Sequence, residues 1–129
     1  YYDAVTVGID FTARDLQRQF REEGKPWELC KGFDNSAAIG TFISLEQAGG
    51  DLQNLDFHLD IDGCEVQRGN TTDMLFKIDD IIAYVSRFMT LKIGDLLFTG
   101  TPAGVGPVSV GQHLQGYLGE EKLLDFHIR

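Results

Sequence analysis

Residues 55–68 constrain the fold more than any other segment, because an alternating pattern, a turn signal and a second β-prone run follow one another directly. The apolar side chains recur at every second position, which is the period of a strand with one buried face: Leu55, Phe57, Leu59 and Ile61. Asp62 and Gly63 come next and are typical of a type I′ hairpin turn. We therefore predict a returning strand over residues 64–68 and an antiparallel pair.

Two helices are predicted in addition to this hairpin. Residues 4–9 are apolar and β-branched, which indicates a strand. A helix is expected to follow, with Thr12 as its N-cap and Asp15 completing a capping box, and Gly24 predicts its end. The second helix is predicted over residues 79–91 and is expected to bury its apolar side chains: Ile82, Val85, Phe88 and Met89.

The remaining segments predict loops and short strands. Residues 27–38 have little periodicity and predict an ordered loop, whereas residues 96–98 predict a buried strand. Short strands separated by glycine turns are expected to the end of the chain. The 129 residues fit one domain. We therefore expect a β-rich α+β domain over residues 1–129, with a mixed sheet and two principal helices.

Charge and composition exclude several classes of partner. The chain has 20 acidic and 11 basic residues and a net charge of −9, without a basic cluster, so nucleic acid is not an expected partner. No apolar run approaches the roughly 18 residues of a membrane span, and no targeting segment is visible, so no membrane partner is expected. Cys30 and Cys64 are too few for a disulfide framework and predict free thiols in a reducing, cytoplasmic compartment.

The start of the first helix is a candidate ligand site. Asp10 precedes the helix, and Arg14 and Gln17 lie on its first turns, three residues apart. These side chains can converge near the helix entrance, where an anionic ligand or a metal ion would bind. A capped surface helix with solvated polar residues is the alternative, and this segment alone leaves both open.

A glycine-rich segment over residues 99–107 is the second candidate. It lacks the Gly-Lys-Ser/Thr ending of a phosphate-binding loop, and no helix is predicted after it, as a dinucleotide-binding loop requires. What remains is a tight loop that brings backbone amides and the Thr101 hydroxyl close to a ligand. A purely structural turn is the alternative.

Four segments together resemble the fumarylacetoacetate hydrolase family, and in particular its acylpyruvase and oxaloacetate decarboxylase branch. They are residues 10–17 (DFTARDLQ), 31–34 (KGFD), 67–76 (QRGNTTDMLF) and 99–106 (TGTPAGVG), in the family's order. The resemblance implies the β-rich roll of that family's C-terminal part. It also implies that Asp10 is a ligand of Mg²⁺ or Mn²⁺, the hard cations that carboxylate oxygens suit.

The resemblance further assigns substrate contacts. It implies that Arg14 and Gln17 hold the substrate or shape its pocket, and that Lys31 contacts the substrate's oxygens as the catalytic lysine. It implies that Thr101 is the threonine that binds the substrate carboxylate, and that Gly100 beside it also contacts the substrate. The expected partner is therefore a small 2-oxo acid, and a homodimer is expected because the family commonly forms one.

The chain departs from the family pattern at its start. Members carry two further glutamate ligands in a Glu-x-Glu arrangement upstream of the aspartate, and a His–Glu pair on a lid further upstream. Nine residues precede Asp10, and none of them is Glu. We therefore expect residues 1–129 to be a catalytic-type domain without its N-terminal portion.

Three functions follow as expectations. The first is a metal-dependent hydrolase that cleaves a C–C bond in acylpyruvate-type 2,4-dioxo acids, decarboxylates oxaloacetate, or does both through a metal-chelated enolate. The second is an isomerase or hydratase acting on 2-oxo- or 2-hydroxy-dienedioates with the same pocket. The third is a binding or dimerisation module without catalytic activity.

Overall fold

Short strands and three α-helices make up the computed structural model, which describes residues 2–129. Tyr1, the first residue of the predicted domain, lies outside the described residues. The elements are β1 (Ala4–Val5), β2 (Gly8–Asp10), α1 (Arg14–Glu23), α2 (Glu28–Lys31), β3 (Ala37–Ile39), β4 (Ile43–Ser44), β5 (Asp56–Ile61), β6 (Cys64–Asn70), a 3₁₀ turn (Thr71–Asp73), α3 (Ile78–Val85), β7 (His113–Leu118) and β8 (Glu121–His127).

The chain divides into two compact units, and the smaller one comprises residues 8–39. In it, β2 pairs with β3 in an antiparallel ladder that places Asp10 opposite Ala37. Helix α1 buries Phe20 and ends at Gly24, which adopts the left-handed conformation (φ 65°) predicted for a helix stop. Helix α2 buries Cys30.

The larger unit comprises residues 2–7 and 40–129 and contains a four-stranded antiparallel sheet in the order β6-β5-β7-β8. The predicted hairpin is confirmed, since β5 and β6 pair and Asp62 and Gly63 both have positive φ (52° and 77°), as a type I′ turn requires. Leu114 and Leu118 of β7 face the buried side of this sheet. The buried core cluster of this unit is Ile43, Leu52, Leu55, Leu118 and Leu123.

The α+β class is confirmed, and every strand pair within residues 2–129 is antiparallel. The single-domain organisation over residues 1–129 stays a prediction. No helix in residues 2–129 has both the length and the apolar character needed to cross a lipid bilayer. Cys30 and Cys64 are free thiols, as predicted.

Several predicted elements in the first third of the chain are wrong. Residues 4–9 do not form one strand, because β1 pairs with β4 whereas β2 pairs with β3. Residues 27–38 are not a loop throughout. They contain the single helical turn α2, closed by the bond from the Gly32 N–H to the Glu28 carbonyl (2.6 Å), and most of β3. Elements this short carry too little periodicity to be recognised in the sequence.

Two predictions after β6 are also wrong. Helix α3 ends at Val85 instead of residue 91. Directly after this end, the Ser86 hydroxyl donates to the Ala83 carbonyl (2.9 Å). Phe88 and Met89, which were expected to be buried, are exposed. Residues 96–98 form no strand and are exposed, because no neighbouring strand within residues 2–129 offers them a ladder. This part of the larger unit presents apolar side chains to solvent: Leu75, Phe76, Tyr84, Phe88, Met89 and Ile93.

Candidate functional site

The smaller unit brings Asp10 and Lys31 into direct contact. The Lys31 ammonium lies 2.6 Å from Asp10 Oδ2 and 2.9 Å from the Thr12 hydroxyl oxygen. Asp10 is the last residue of β2, and Lys31 is the last residue of α2. A cation, a carboxylate and a hydroxyl therefore lie together, although Asp10 and Lys31 are 21 positions apart in the sequence.

Backbone bonds of the smaller unit fix this contact. The Ala13 N–H donates to the Cys30 carbonyl (3.0 Å), which ties the start of α1 to the turn that carries Lys31. The Phe11 N–H donates to the Ser36 carbonyl (2.7 Å), which continues the pairing of β2 with β3. The Cys30 thiol is buried and donates to the Trp27 carbonyl (3.0 Å). Cys30 thus anchors α2, consistent with a structural role.

The charged pair is open to solvent. The Lys31 side chain is 35% exposed and that of Asp10 is 43% exposed. Exposed ion pairs of this kind contribute about 0–1 kcal/mol to stability. The pair is therefore a weak stabiliser of the fold, and both its charges can be reached by a ligand.

Thr12 has a different role from the one predicted. The N-cap of α1 is Ala13, without a side-chain cap, and the Thr12 hydroxyl instead donates to the Asp10 carbonyl (3.3 Å) and accepts from Lys31. The carboxylate of Asp15 accepts from the Leu16 N–H (2.8 Å) in the first helical turn.

Arg14 and Gln17 form a separate contact. Arg14 Nη1 donates to Gln17 Oε1 (2.9 Å) across one turn of α1. This bond uses one nitrogen of the guanidinium and leaves its other N–H groups for a ligand. Asp10 therefore pairs with Lys31, and Arg14 pairs with Gln17. The convergence of Asp10, Arg14 and Gln17 on one ligand stays a prediction.

Asp10 fits a metal ion as one oxygen ligand. Within residues 8–39, Asp10 belongs to no group of three or more His, Cys or carboxylate side chains in metal-binding geometry. One carboxylate in contact with a lysine does not by itself hold Mg²⁺ or Mn²⁺, which are bound by several oxygens. The described part of this unit therefore supplies an incomplete metal site.

In the larger unit, the glycine-rich loop lies against β6. Gly100 and Gly104 have φ values of 123° and 98°, in the region that favours glycine. Thr101 is exposed, and its hydroxyl oxygen lies 3.3 Å from Gln67 Nε2, which also donates to the Pro102 carbonyl (3.0 Å). Gln67 belongs to the family-like segment over residues 67–76, but the sequence predicts no role for this side chain.

A second group of ligand-type side chains lies at the β5–β6 hairpin. The potential ligand atoms of His58, Asp60 and Glu65 lie within 4.8 Å of one another, and the His58 ring stacks on Tyr117 (4.4 Å). Arg68, however, binds both carboxylate oxygens of Glu65 and lowers the pKa of that carboxyl. Glu65 is thus already paired, and we assign no cation to this group.

The match to a known family covers nearly the whole chain. Residues 2–128 match the family model described as "Fumarylacetoacetate (FAA) hydrolase C-terminal". The chain belongs to the fumarylacetoacetate hydrolase family. The resemblance inferred from the four segments is therefore confirmed.

Members of this family with assigned names are similar over most of the chain. It is 46% identical over 108 residues to the oxaloacetate tautomerase YcgM of Escherichia coli (84% of this chain, 49% of the relative). It is 39% identical over 129 residues to a mitochondrial oxaloacetate decarboxylase of Dictyostelium discoideum (99% and 59%). The crystal structure of a Pseudomonas aeruginosa fumarylpyruvate hydrolase in complex with Mn²⁺ and pyruvate is 38% identical, with a TM-score of 0.86 (97% and 53%).

Each of these relatives is longer than this chain. The chain spans about half the length of the curated relatives it matches. These relatives are named as enzymes: an oxaloacetate tautomerase, an oxaloacetate decarboxylase and a fumarylpyruvate hydrolase.

Proposed function

We propose that this member of the fumarylacetoacetate hydrolase family is a metal-dependent hydrolase acting on 2-oxo acids. It would cleave a C–C bond in acylpyruvate-type 2,4-dioxo acids, decarboxylate oxaloacetate, or do both. The observation that carries this proposal is the contact of Lys31 with Asp10 and Thr12. It presents a reachable cation beside the carboxylate that matches the family's metal ligand.

The chemistry of these reactions explains why a lysine is needed. When oxaloacetate loses CO₂, or when water adds to an acylpyruvate and the C–C bond breaks, the bonding electrons move onto the 2-oxo group as an enolate. A cation held near that oxygen stabilises the developing negative charge. Lys31 is proposed to supply this charge, and the exposed fraction of its side chain leaves the ammonium accessible.

Arg14 and Thr101 are proposed to hold carboxylates. The guanidinium of Arg14 is oriented by Gln17 and can bind a carboxylate through two parallel N–H bonds, which a lysine cannot reproduce. Thr101, with the Gly100 backbone, is proposed to bind a substrate carboxylate from the loop on β6. Holding a substrate carboxylate in a fixed place would orient the bond that breaks.

A divalent cation, Mg²⁺ or Mn²⁺, is proposed as the cofactor, with Asp10 as one ligand. Such an ion would supply a Lewis acid for the oxygens of a 2-oxo acid. Support comes from the carboxylate chemistry of Asp10 and from the P. aeruginosa relative, whose structure is described as a complex with Mn²⁺ and pyruvate. The remaining ligands would have to come from outside residues 8–39.

The alternative function is an isomerase or hydratase acting on 2-oxo- or 2-hydroxy-dienedioates. In an isomerisation, an enolate is formed by removal of a proton instead of by C–C bond cleavage, and it is then reprotonated at another position. The same residues could therefore serve proton transfer. The name of the E. coli relative, an oxaloacetate tautomerase, favours this class of reaction.

One experiment distinguishes these functions. The protein would be incubated with oxaloacetate, acetylpyruvate and fumarylpyruvate, with Mn²⁺ or Mg²⁺ and with EDTA, while pyruvate release and the enol absorbance are recorded. Metal-dependent pyruvate release that exceeds the release in a protein-free control with the same metal supports the hydrolase or decarboxylase. Enol–keto conversion without pyruvate release supports the isomerase, and absence of turnover with every substrate would favour a binding or dimerisation module.

We propose in addition that the protein is a homodimer, with a second copy covering the apolar surface over residues 75–93. Contiguous exposed apolar side chains commonly mark such interfaces. Light scattering after gel filtration should give twice the monomer mass. A monomeric mass would contradict the proposed homodimer. A cytoplasmic location is proposed from the free thiols alone.

A further inference from the structure

Gln67 makes a forked contact with the glycine-rich loop. Its Nε2 lies 3.0 Å from the Pro102 carbonyl oxygen and 3.3 Å from the Thr101 hydroxyl oxygen. A side-chain amide has two N–H donors, so both contacts can be made by one nitrogen. Gln67 lies on β6 opposite Leu59, in the four-stranded sheet.

The loop also lies close to the backbone of β6 on either side of Gln67. A Cβ atom on Gly69 would lie 2.8 Å from Pro102 Cβ, and a Cβ atom on Gly104 would lie 2.9 Å from the Val66 carbonyl oxygen. Neither position has room for a side chain. Since Gly69, Gln67 and Val66 all belong to β6, the strand acts as a fixed support for the loop.

The contact with Gln67 determines whether the Thr101 hydroxyl donates or accepts a hydrogen bond toward a ligand. A hydroxyl group has one hydrogen to donate and two lone pairs that accept. When the oxygen accepts from Gln67, its own hydrogen remains available. A carboxylate accepts hydrogen bonds and cannot donate them when it is ionised, so it needs such a hydrogen from its partner.

We propose that Gln67 is a positioning residue that keeps the Thr101 hydroxyl as a donor toward a substrate carboxylate. This inference rests on the proposed carboxylate-binding role of Thr101. Gln67 acts through Thr101 and does not touch the substrate. It therefore contributes to discrimination between an ionised carboxylate and a neutral group of the same shape.

The test compares binding of pyruvate with binding of pyruvamide, which replaces the carboxylate by a neutral amide. Dissociation constants would be measured by ligand-detected NMR for the wild-type protein in the presence of Mg²⁺, which is diamagnetic. Gln67→Glu replaces the donor by an acceptor that takes the Thr101 hydrogen. We expect it to weaken pyruvate about tenfold, the worth of one hydrogen bond to a charged group, and to leave pyruvamide within about twofold.

Two further variants separate positioning from a merely structural role. Gln67→Met keeps the side-chain length without donors, and we expect an intermediate loss of pyruvate affinity. In a Thr101→Val background, Gln67→Met should cause no additional loss, because the hydroxyl it acts through is absent. The effect of Gln67→Glu should also shrink near pH 4, where the introduced carboxyl becomes protonated.

The outcomes are distinguishable. If Thr101→Val leaves pyruvate affinity unchanged, or if the wild-type protein does not bind pyruvate, the proposed role of Thr101 fails and the inference falls with it. If Thr101→Val weakens pyruvate but Gln67→Glu does not, or weakens pyruvamide equally, the positioning role is overturned while the proposed function stands. Thermal melting identifies any variant that has lost its fold. The variants that remain folded then test whether Gln67 positions the Thr101 hydroxyl.

Discussion

The Lys31 ammonium lies 2.6 Å from the Asp10 carboxylate, although 20 residues separate the two along the chain. Their contact depends on three backbone features, namely the pairing of β2 with β3, the turn α2, and the bond from the Ala13 N–H to the Cys30 carbonyl. Because both side chains are partly exposed, the pair contributes little to stability and can exchange its contacts for those of a ligand.

Replacing Asp10 by Asn should abolish metal binding and leave the fold nearly unchanged. The substitution removes the negative charge that a hard cation requires, while the lost ion pair costs no more than about 1 kcal/mol. Mn²⁺ binding would be followed by electron paramagnetic resonance, and stability by urea unfolding. Glu22→Gln, which removes an exposed carboxylate from α1, is the matched control. Full Mn²⁺ affinity in the Asp10 variant would show that Asp10 is not a ligand.

Replacing Lys31 by Met should lower kcat about 100-fold and change the melting temperature little. Removal of one preorganised group that stabilises transition-state charge typically has an effect of this size. The rate would be measured on whichever of oxaloacetate or acylpyruvate is turned over by the wild type. An unchanged rate with a collapsed melting temperature would make Lys31 a structural residue instead.

Replacing Arg14 by Lys should raise KM about tenfold, with a smaller effect on kcat. The lysine keeps the charge but cannot form two parallel bonds to a carboxylate. Steady-state kinetics on the same substrate would measure the change. Arg18→Lys, at an exposed position of the same helix, is the control and should behave as wild type. Equal KM values for all three proteins would remove Arg14 from the substrate site.

Replacing Leu114 by Ala should destabilise the protein by about 3 kcal/mol. The side chain is fully buried in β7, so the substitution loses apolar burial and leaves a cavity. Urea unfolding monitored by circular dichroism measures the free energy of unfolding. Leu29→Ala, at a side chain that is 71% exposed, should change it by less than about 0.5 kcal/mol. Similar losses in both variants would contradict the assignment of Leu114 to the core.

The stability of the protein should fall in acid partly through Asp125. A hydrogen bond from His113 (2.6 Å), followed by bonds from Lys122 and Gln115, holds the pKa of this carboxyl below its ordinary value of 3.8. A carboxyl with a lowered pKa in the folded state stabilises it above the unfolded pKa, and this contribution is lost as the pH falls below about 4.

Comparison with Asp125→Asn isolates this effect. The wild type should be more stable than the variant at pH 6, and the difference should shrink steadily below pH 4. Urea unfolding at several pH values between 6 and 2.5 measures it. Because the group is exposed, the experiment is best done at low ionic strength, where screening is weakest. A difference that does not change with pH would show that the ionised form of Asp125 is not stabilised by its neighbours.

Local sequence patterns predicted the elements that have a clear period. The alternation over residues 55–61 and the Asp62–Gly63 turn predicted β5, β6 and their connection, because a half-buried strand demands apolar residues at every second position. The stop of α1 at Gly24 was predictable for a similarly local reason, since few other residues adopt the left-handed conformation without strain. The family, and with it the candidate residues, was also recognisable from four short segments.

Tertiary structure decided what local patterns leave open. The sequence favoured Thr12 as a helix cap, whereas folding places it against Lys31, because the pairing of β2 with β3 and the position of α2 bring that ammonium within reach. Phe88 and Met89 have helical spacing but lie outside α3. Gln67 gave no signal of its role, because its contacts to Thr101 and Pro102 join residues more than 30 positions apart. Local periodicity thus determined β5, β6 and the turn between them, whereas long-range packing determined which side chains far apart in the sequence meet.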